Sequence, residues 1–276
     1  MTSECYRFEE FMGDPKRPPL FSHVDATYVI HLENNGRLEN VKRGLREFYP
    51  SRNTCILYNK GYKNCTKELP GDETRYDLID ANLAVFRDAK EKNYKHILVL
   101  EDDFIFHPDI RNHTHKIEEF IQQKAEDEFL YFVGCLPGIT IPYNSEHYYV
   151  PLGGALHAVI YSQSYREQLL LVDQSLIEDW DCFQMHFRIF NRYMYYRPLC
   201  YQLFPVTENS QRWGSHHFLL GIGGKIVFQL LQLMNLHKNV EPGYSILYFL
   251  SKTFLLFVVF LFCLFLYRNK RLKKNK

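Results

Sequence analysis

The run from Ile246 to Tyr267, ILYFLSKTFLLFVVFLFCLFLY, constrains this chain more than any other stretch: of its 22 residues only Ser251, Lys252 and Thr253 are polar. At ~1.5 Å per residue a helix here is about 33 Å long, enough to cross a hydrocarbon core of ~30 Å. Backbone polar groups in lipid must be satisfied within the segment, so it has to be helical. A helix buried in a soluble core is rarely apolar on every face for so long. The sequence therefore predicts one transmembrane helix over 246–267, with Lys252 able to snorkel outward near one end, and a basic tail over 268–276.

The flanks bear on orientation. RNKRLKKNK after the helix favours a cytosolic C-terminus, whereas MTSECYRFEEFMGDPKRPP at the start has no apolar core of a secretory signal. Giving the second more weight, the expectation is a single-pass protein with a C-terminal anchor and a cytosolic catalytic domain. The sequons Asn64-Cys65-Thr66 and Asn112-His113-Thr114 count for the opposite, lumenal orientation. Before the anchor, residues 223–244 form an expected juxtamembrane amphipathic segment, lying along the lipid surface or packed on the domain as its last helix.

The net charge of +1 hides an asymmetry. Lys252, Arg268, Lys270, Arg271, Lys273, Lys274 and Lys276 hold 7 of 33 basic residues, and without them 26 face 32 acidic ones. A mildly acidic body offers no basic face to nucleic acid, so lipid is an expected partner and nucleic acid is not. The seven cysteines include no C-x-x-C pair, which predicts buried thiols in a reducing compartment rather than a disulfide framework.

Within the body, an irregular arm over 1–23 precedes a catalytic domain over 24–222. ATYVIHL (26–32), TCILY (54–58), HILVL (96–100) and LYFVG (130–134) read as strands, with helices over 37–48, 74–93 and 109–129 between them. This alternation predicts an α/β fold with a mainly parallel, Rossmann-like sheet covered by helices on both faces. Beyond Cys135 the chain reads as a Pro/Gly/Tyr-rich loop (135–154), a strand (155–161), helices near 163–172 and 178–190, and an aromatic strand (193–204).

In such a sheet ligands bind beyond the carboxyl ends of strands, and the third strand runs straight into Glu101, Asp102 and Asp103. Alternate residues of an extended chain share a side, so Glu101 and Asp103 converge while Asp102 points elsewhere. Two such carboxylates raise each other's pKa unless a cation lies between them, and Mg²⁺ or Mn²⁺ fits an all-oxygen site left open for a diphosphate. A solvated turn or helix-capping carboxylates are the alternatives.

ANLAVFRDAKEKNYKHILVLEDDFIF (81–106) resembles the central stretch of glycosyltransferase family 25, the lipopolysaccharide and procollagen galactosyltransferases. YVIHLENNGRLENV (28–41) resembles that family's opening strand and Arg-bearing turn, and GGALHAVIYSQSYREQLL (153–170) its Gly-rich segment before a helix. The resemblance implies a GT-A fold and a metal-dependent, inverting transfer of a hexose, galactose or glucose. The donor would be a nucleotide-diphosphate sugar, a UDP-sugar by family habit, and the acceptor a hydroxyl of a glycan, glycolipid or protein. It implies Glu101, Asp103 and a late histidine, His216 or its neighbour His217 unless these are simply a surface pair, as metal ligands, with Asp102, Ile30, Leu32, Arg37, Gly153 and Gly154 at the donor. Ile177-Glu178-Asp179 resembles the x-E-D element whose Asp is the base, with Asp181 as runner-up. A membrane-anchored binding or structural protein that keeps the fold without turnover is the alternative.

Overall fold

The computed structural model describes residues 4–14, 16–187, 191–205 and 218–274. Among these, nine strands form: β1 (Tyr6–Glu10), β2 (Ala26–Leu32), β3 (Asn53–Asn59), β4 (His96–Glu101), β5 (Ile105–Phe106), β6 (Leu130–Pro142), β7 (His147–Ser162), β8 (Arg192–Tyr195) and β9 (Cys200–Tyr201). The helices are α1 (Leu38–Phe48), α2 (Thr74–Glu91), α3 (Ile110–Gln123), α4 (Gln163–Leu169), α5 (Trp180–His186), α6 (Phe218–Leu233) and α7 (Gly243–Lys274). The main sheet has the order β1-β3-β2-β4-β7-β6-β8, and β5 pairs with β9 in a small second sheet.

β2, β3 and β4 are mutually parallel, β7 runs against β4 and β6, and β8 is parallel to β6. Five strands thus run one way, and only β1 and β7 oppose them, so the sheet is mainly parallel as expected. Side chains alternate between two buried layers, as the pleat requires. Tyr28, Ile30, Ile97 and Val99 meet α2, α4 and α5 on one face. Val29, Leu98 and Leu100 meet α1 and α3 on the other. With both faces covered, the strands read as continuous apolar runs.

The structure corrects several expectations. The N-terminal arm is not irregular throughout: Tyr6–Glu10 adds an antiparallel edge strand to β3. Tyr6 donates to Asp80 at 2.6 Å, and a Cys5–Cys65 disulfide ties down the strand's start. That bond also overturns the expectation of reduced thiols alone; spacing along the chain gave no sign of a pair separated by 60 residues. The Pro/Gly/Tyr-rich stretch 135–154 is not a loop but the far half of a long β6–β7 hairpin, whose register shifts between Phe132 and Ile141 accommodate Pro137 and the glycines. The aromatic strand 193–204 splits into β8 and β9, with Pro198 between them.

Residues 223–244 are two pieces rather than one amphipathic segment. Leu231 and Leu236 are buried in the core, and α7 begins at Gly243. Nor does Lys252 snorkel outward: its Nζ donates to the Tyr196 carbonyl at 2.8 Å. Among the described residues one helix, α7, is long and apolar enough over Gly243–Arg268 to cross a membrane.

Candidate functional site

β4 ends at Glu101 beside Ile30 of β2, so the carboxylates emerge at the carboxyl edge of the parallel strands. The turn after β2 wraps over them. It uses left-handed backbone at Asn34 (φ 63°) and Gly36 (φ 77°), which Asn and Gly tolerate best. This conformation aims Asn35 and Arg37 inward.

Asp102 is almost fully enclosed and saturated. Its Oδ2 lies 2.9 Å from His31 Nδ1 and accepts from the Leu32 backbone N–H (3.1 Å) and Asn35 Nδ2 (2.5 Å). Its Oδ1 accepts from Arg37 Nη1 at 2.9 Å. Burial would raise this carboxyl, but the hydrogen bonds from His31 and Arg37 outweigh it and hold Asp102 below the usual range.

Glu101 and Asp103 are served far more thinly. Gln202 Nε2, just past β9, donates to Glu101 Oε2 (3.2 Å) and Asp103 Oδ2 (3.0 Å), and Arg37 Nη1 reaches the same Asp103 oxygen at 3.1 Å. Asp103 Oδ1 is buried with no hydrogen-bond partner. Burial, and then the charges of Asp103, Asp181 and Asp102, push Glu101 well up. Burial also raises Asp103, against the pull of Arg37 and Gln202.

Asp181, in the first turn of α5, accepts from the backbone N–H of Ala155 (2.6 Å) and Leu156 (3.4 Å). Ala155 takes a left-handed φ of 48°, a strained conformation for a residue with a Cβ, which this carboxylate helps to hold. Burial, and then the neighbouring charge of Asp179, raise Asp181 to about 7. Asp179 is exposed and caps α5, accepting from the Cys182 N–H at 2.9 Å.

Of the residues expected at the donor, Gly153 and Gly154 lie in β7 next to Asp181's partner Ala155. A Cβ on Gly153 would come within 3.1 Å of the Leu136 carbonyl, so the glycine permits close strand approach, while Gly154 faces open space short of Asp181. Neither has positive φ; in this segment Ala155 does. Ile30 is buried, whereas Leu32 contributes its N–H to Asp102. His216 and His217 lie outside the described residues.

Gln202, His31 and Asn35 were not legible as site residues. Gln202 arrives about a hundred positions later through the β5–β9 pairing. His31 carried one faint signal, since a polar ring inside a buried strand needs a partner. Among the described residues no three His, Cys, Asp or Glu side chains converge as a complete metal cage. Mg²⁺ and Mn²⁺ do not need one, because such ions are commonly held by one or two carboxylates, waters and substrate phosphates. The orphaned oxygen of Asp103 beside raised Glu101 fits that mode of binding.

The site therefore belongs to a mixed α/β protein with an acidic cluster at the carboxyl edge of its parallel strands. No protein-family model matches the chain, and no curated protein matches it. Among solved structures it is similar to a glycosyltransferase involved in glycosylation of the major capsid of PBCV-1, at 13% identity and TM-score 0.39, over 63% of this chain and 83% of that one. It is also similar to A197 from STIV, at 11% identity and TM-score 0.38, over 62% and 81%. Overlaps this loose do not bear on the assignment.

Proposed function

We propose that this chain is a membrane-anchored glycosyltransferase of GT-A type, moving a hexose from a nucleotide-diphosphate sugar to an acceptor hydroxyl. The family 25 resemblance motivates the class. The observation that supports it best is the split carboxylate cluster, with Asp102 fully satisfied while Glu101 and Asp103 are left short of positive charge.

In this reading Glu101 and Asp103 hold Mn²⁺ or Mg²⁺, an ion that neutralises charge on a departing diphosphate. Asp102 fixes Arg37 and the 33–37 turn, so that the backbone and guanidinium face the donor. Asp181 is the base that takes the acceptor proton. It borders the pair, and a pKa near 7 suits general base work at neutral pH. Asp179, the base implied by the resemblance, instead caps α5 and tunes Asp181 by its charge. The Cys5–Cys65 bond and the basic tail both favour a domain in an oxidising, lumenal compartment over the cytosolic placement.

A donor screen with and without Mn²⁺, reading nucleotide release, tests the proposal. One or more UDP-hexoses should respond to metal in the native chain, and none in Asp103→Asn. A flat response across donors would favour a binding protein that has lost turnover.

A further inference from the structure

A transmembrane helix needs about 20 apolar residues to cross a ~30 Å hydrocarbon core. In α7 the unbroken run of exposed residues starts at Phe254, and its apolar part, Phe254–Tyr267, is fourteen residues long, which supplies about 21 Å. The missing third must come from turns still packed on the protein. Those turns are two-sided. Tyr244, Tyr248 and Ser251 are buried against the domain, while Ile246, Phe249 and Leu250 are exposed. The edge of the domain beside them must therefore lie at hydrocarbon or headgroup depth. Its residues suit that level, because Lys252 sits near the Tyr148 and Tyr196 rings, at 5.7 and 5.8 Å, with its amine on a carbonyl.

The apolar surface continues onto α6. Ile226, Val227, Leu230 and Leu233 are exposed on its outer side, while Leu231 is buried. Just beyond α6, Leu236 packs on Gly243 at the head of α7, so the two surfaces meet at one corner. That corner is joined directly to the carboxylates. Tyr244 Oη accepts from the Gln202 backbone N–H at 3.0 Å, and the Gln202 side chain bridges Glu101 and Asp103. The Tyr244–Gln202 contact thus ties the site to the head of the span.

We infer that the domain is seated in the bilayer surface through α6 and the first turns of α7, and that its acceptor is a hydroxyl carried on a membrane lipid. The acceptor half rests on the glycosyltransferase reading; the seating does not. The test uses full-length protein in lipid nanodiscs. In a Cys182→Ser, Cys263→Ser background, a fluorophore at Leu230→Cys or Phe249→Cys should be quenched by brominated acyl chains, and one at Met12→Cys should not. With the active donor, transfer to hexadecyl galactoside or glucoside in the disc should exceed transfer to the soluble butyl glycoside at least tenfold. A Leu230→Glu, Leu233→Glu variant should lose that preference and keep its rate on the butyl glycoside.

Unquenched labels at 230 and 249 would overturn the seating. Equal rates on the two glycosides, or preferred transfer to a peptide, would overturn the lipid acceptor while leaving glycosyl transfer in place. Quenched labels with no donor consumed would uphold the seating and remove the acceptor half along with the transfer reading.

Discussion

Asp102 and Asp103 are adjacent in sequence and opposite in circumstance. Asp102 has donors on both oxygens and is held ionised. Asp103 shares one oxygen between Arg37 and Gln202, leaves the other bare, and is pushed toward its neutral form together with Glu101. Three neighbouring carboxylates are brought together here, and Asp102 has donors on both oxygens while Asp103 has them on one alone. A purely structural acidic turn would satisfy both or expose both, since an unpaired buried polar atom costs about 1–3 kcal/mol. On the proposed reading, Asp102 is the structural carboxylate and the Glu101–Asp103 side is the one that would hold the cation.

Several substitutions would break or sharpen this contrast. The largest effect is on activity: Asp103→Asn or Glu101→Gln should lower transfer by at least ~10³-fold, on the scale of losing a main electrostatic contact to the transition state. The same changes should leave the metal-free protein as stable as before or slightly more so, as measured by denaturant unfolding. Asp102→Asn should do the reverse to the fold, costing about 2–4 kcal/mol by leaving buried donors and Arg37 mismatched.

The two sides also predict opposite pH behaviour. Asp102 is depressed, so its stabilisation is present above the ordinary carboxylate pKa and is lost as pH falls through its lowered value. Asp181 is raised to about 7, so the metal-free protein should lose stability as pH climbs from about 4 toward 7, where the unfolded chain has already released its proton. Turnover needs the ionised form and should rise through about pH 7. Asp179→Asn removes the charge that helps to raise Asp181, and should move that midpoint toward acid while the enzyme stays active. The smallest expected effect is at Tyr244→Phe, which deletes the two hydrogen bonds between the Tyr244 hydroxyl and the Gln202 backbone. A several-fold rise in the metal concentration required for half-maximal rate, with little change in stability, would show Gln202 to be a positioning residue.

The part of the molecule that could be read in advance is the part governed by local pattern. β2, β3 and β4 fall within a residue of their expected bounds because each is a buried apolar run between turn signals. The position of Glu101, Asp102 and Asp103 at a strand end follows from the same pattern, and period-two geometry separates Asp102 from its neighbours. What sequence could not supply is contact between distant segments. Gln202 reaches the carboxylates only through β9, and Cys65 finds Cys5 only because β1 joins the sheet edge. The β6–β7 hairpin was hidden by its prolines, which ordinarily break strands and are tolerated here by register shifts.

Calorimetric titration of the full-length protein with Mn²⁺ in the presence of UDP tests most directly whether the unsatisfied side of the cluster is a cation site. We expect one ion bound per chain by the native protein, with affinity at least tenfold weaker in both Glu101→Gln and Asp103→Asn. Equal Mn²⁺ binding by native, Glu101→Gln and Asp103→Asn proteins would contradict the assignment of these two carboxylates to the metal.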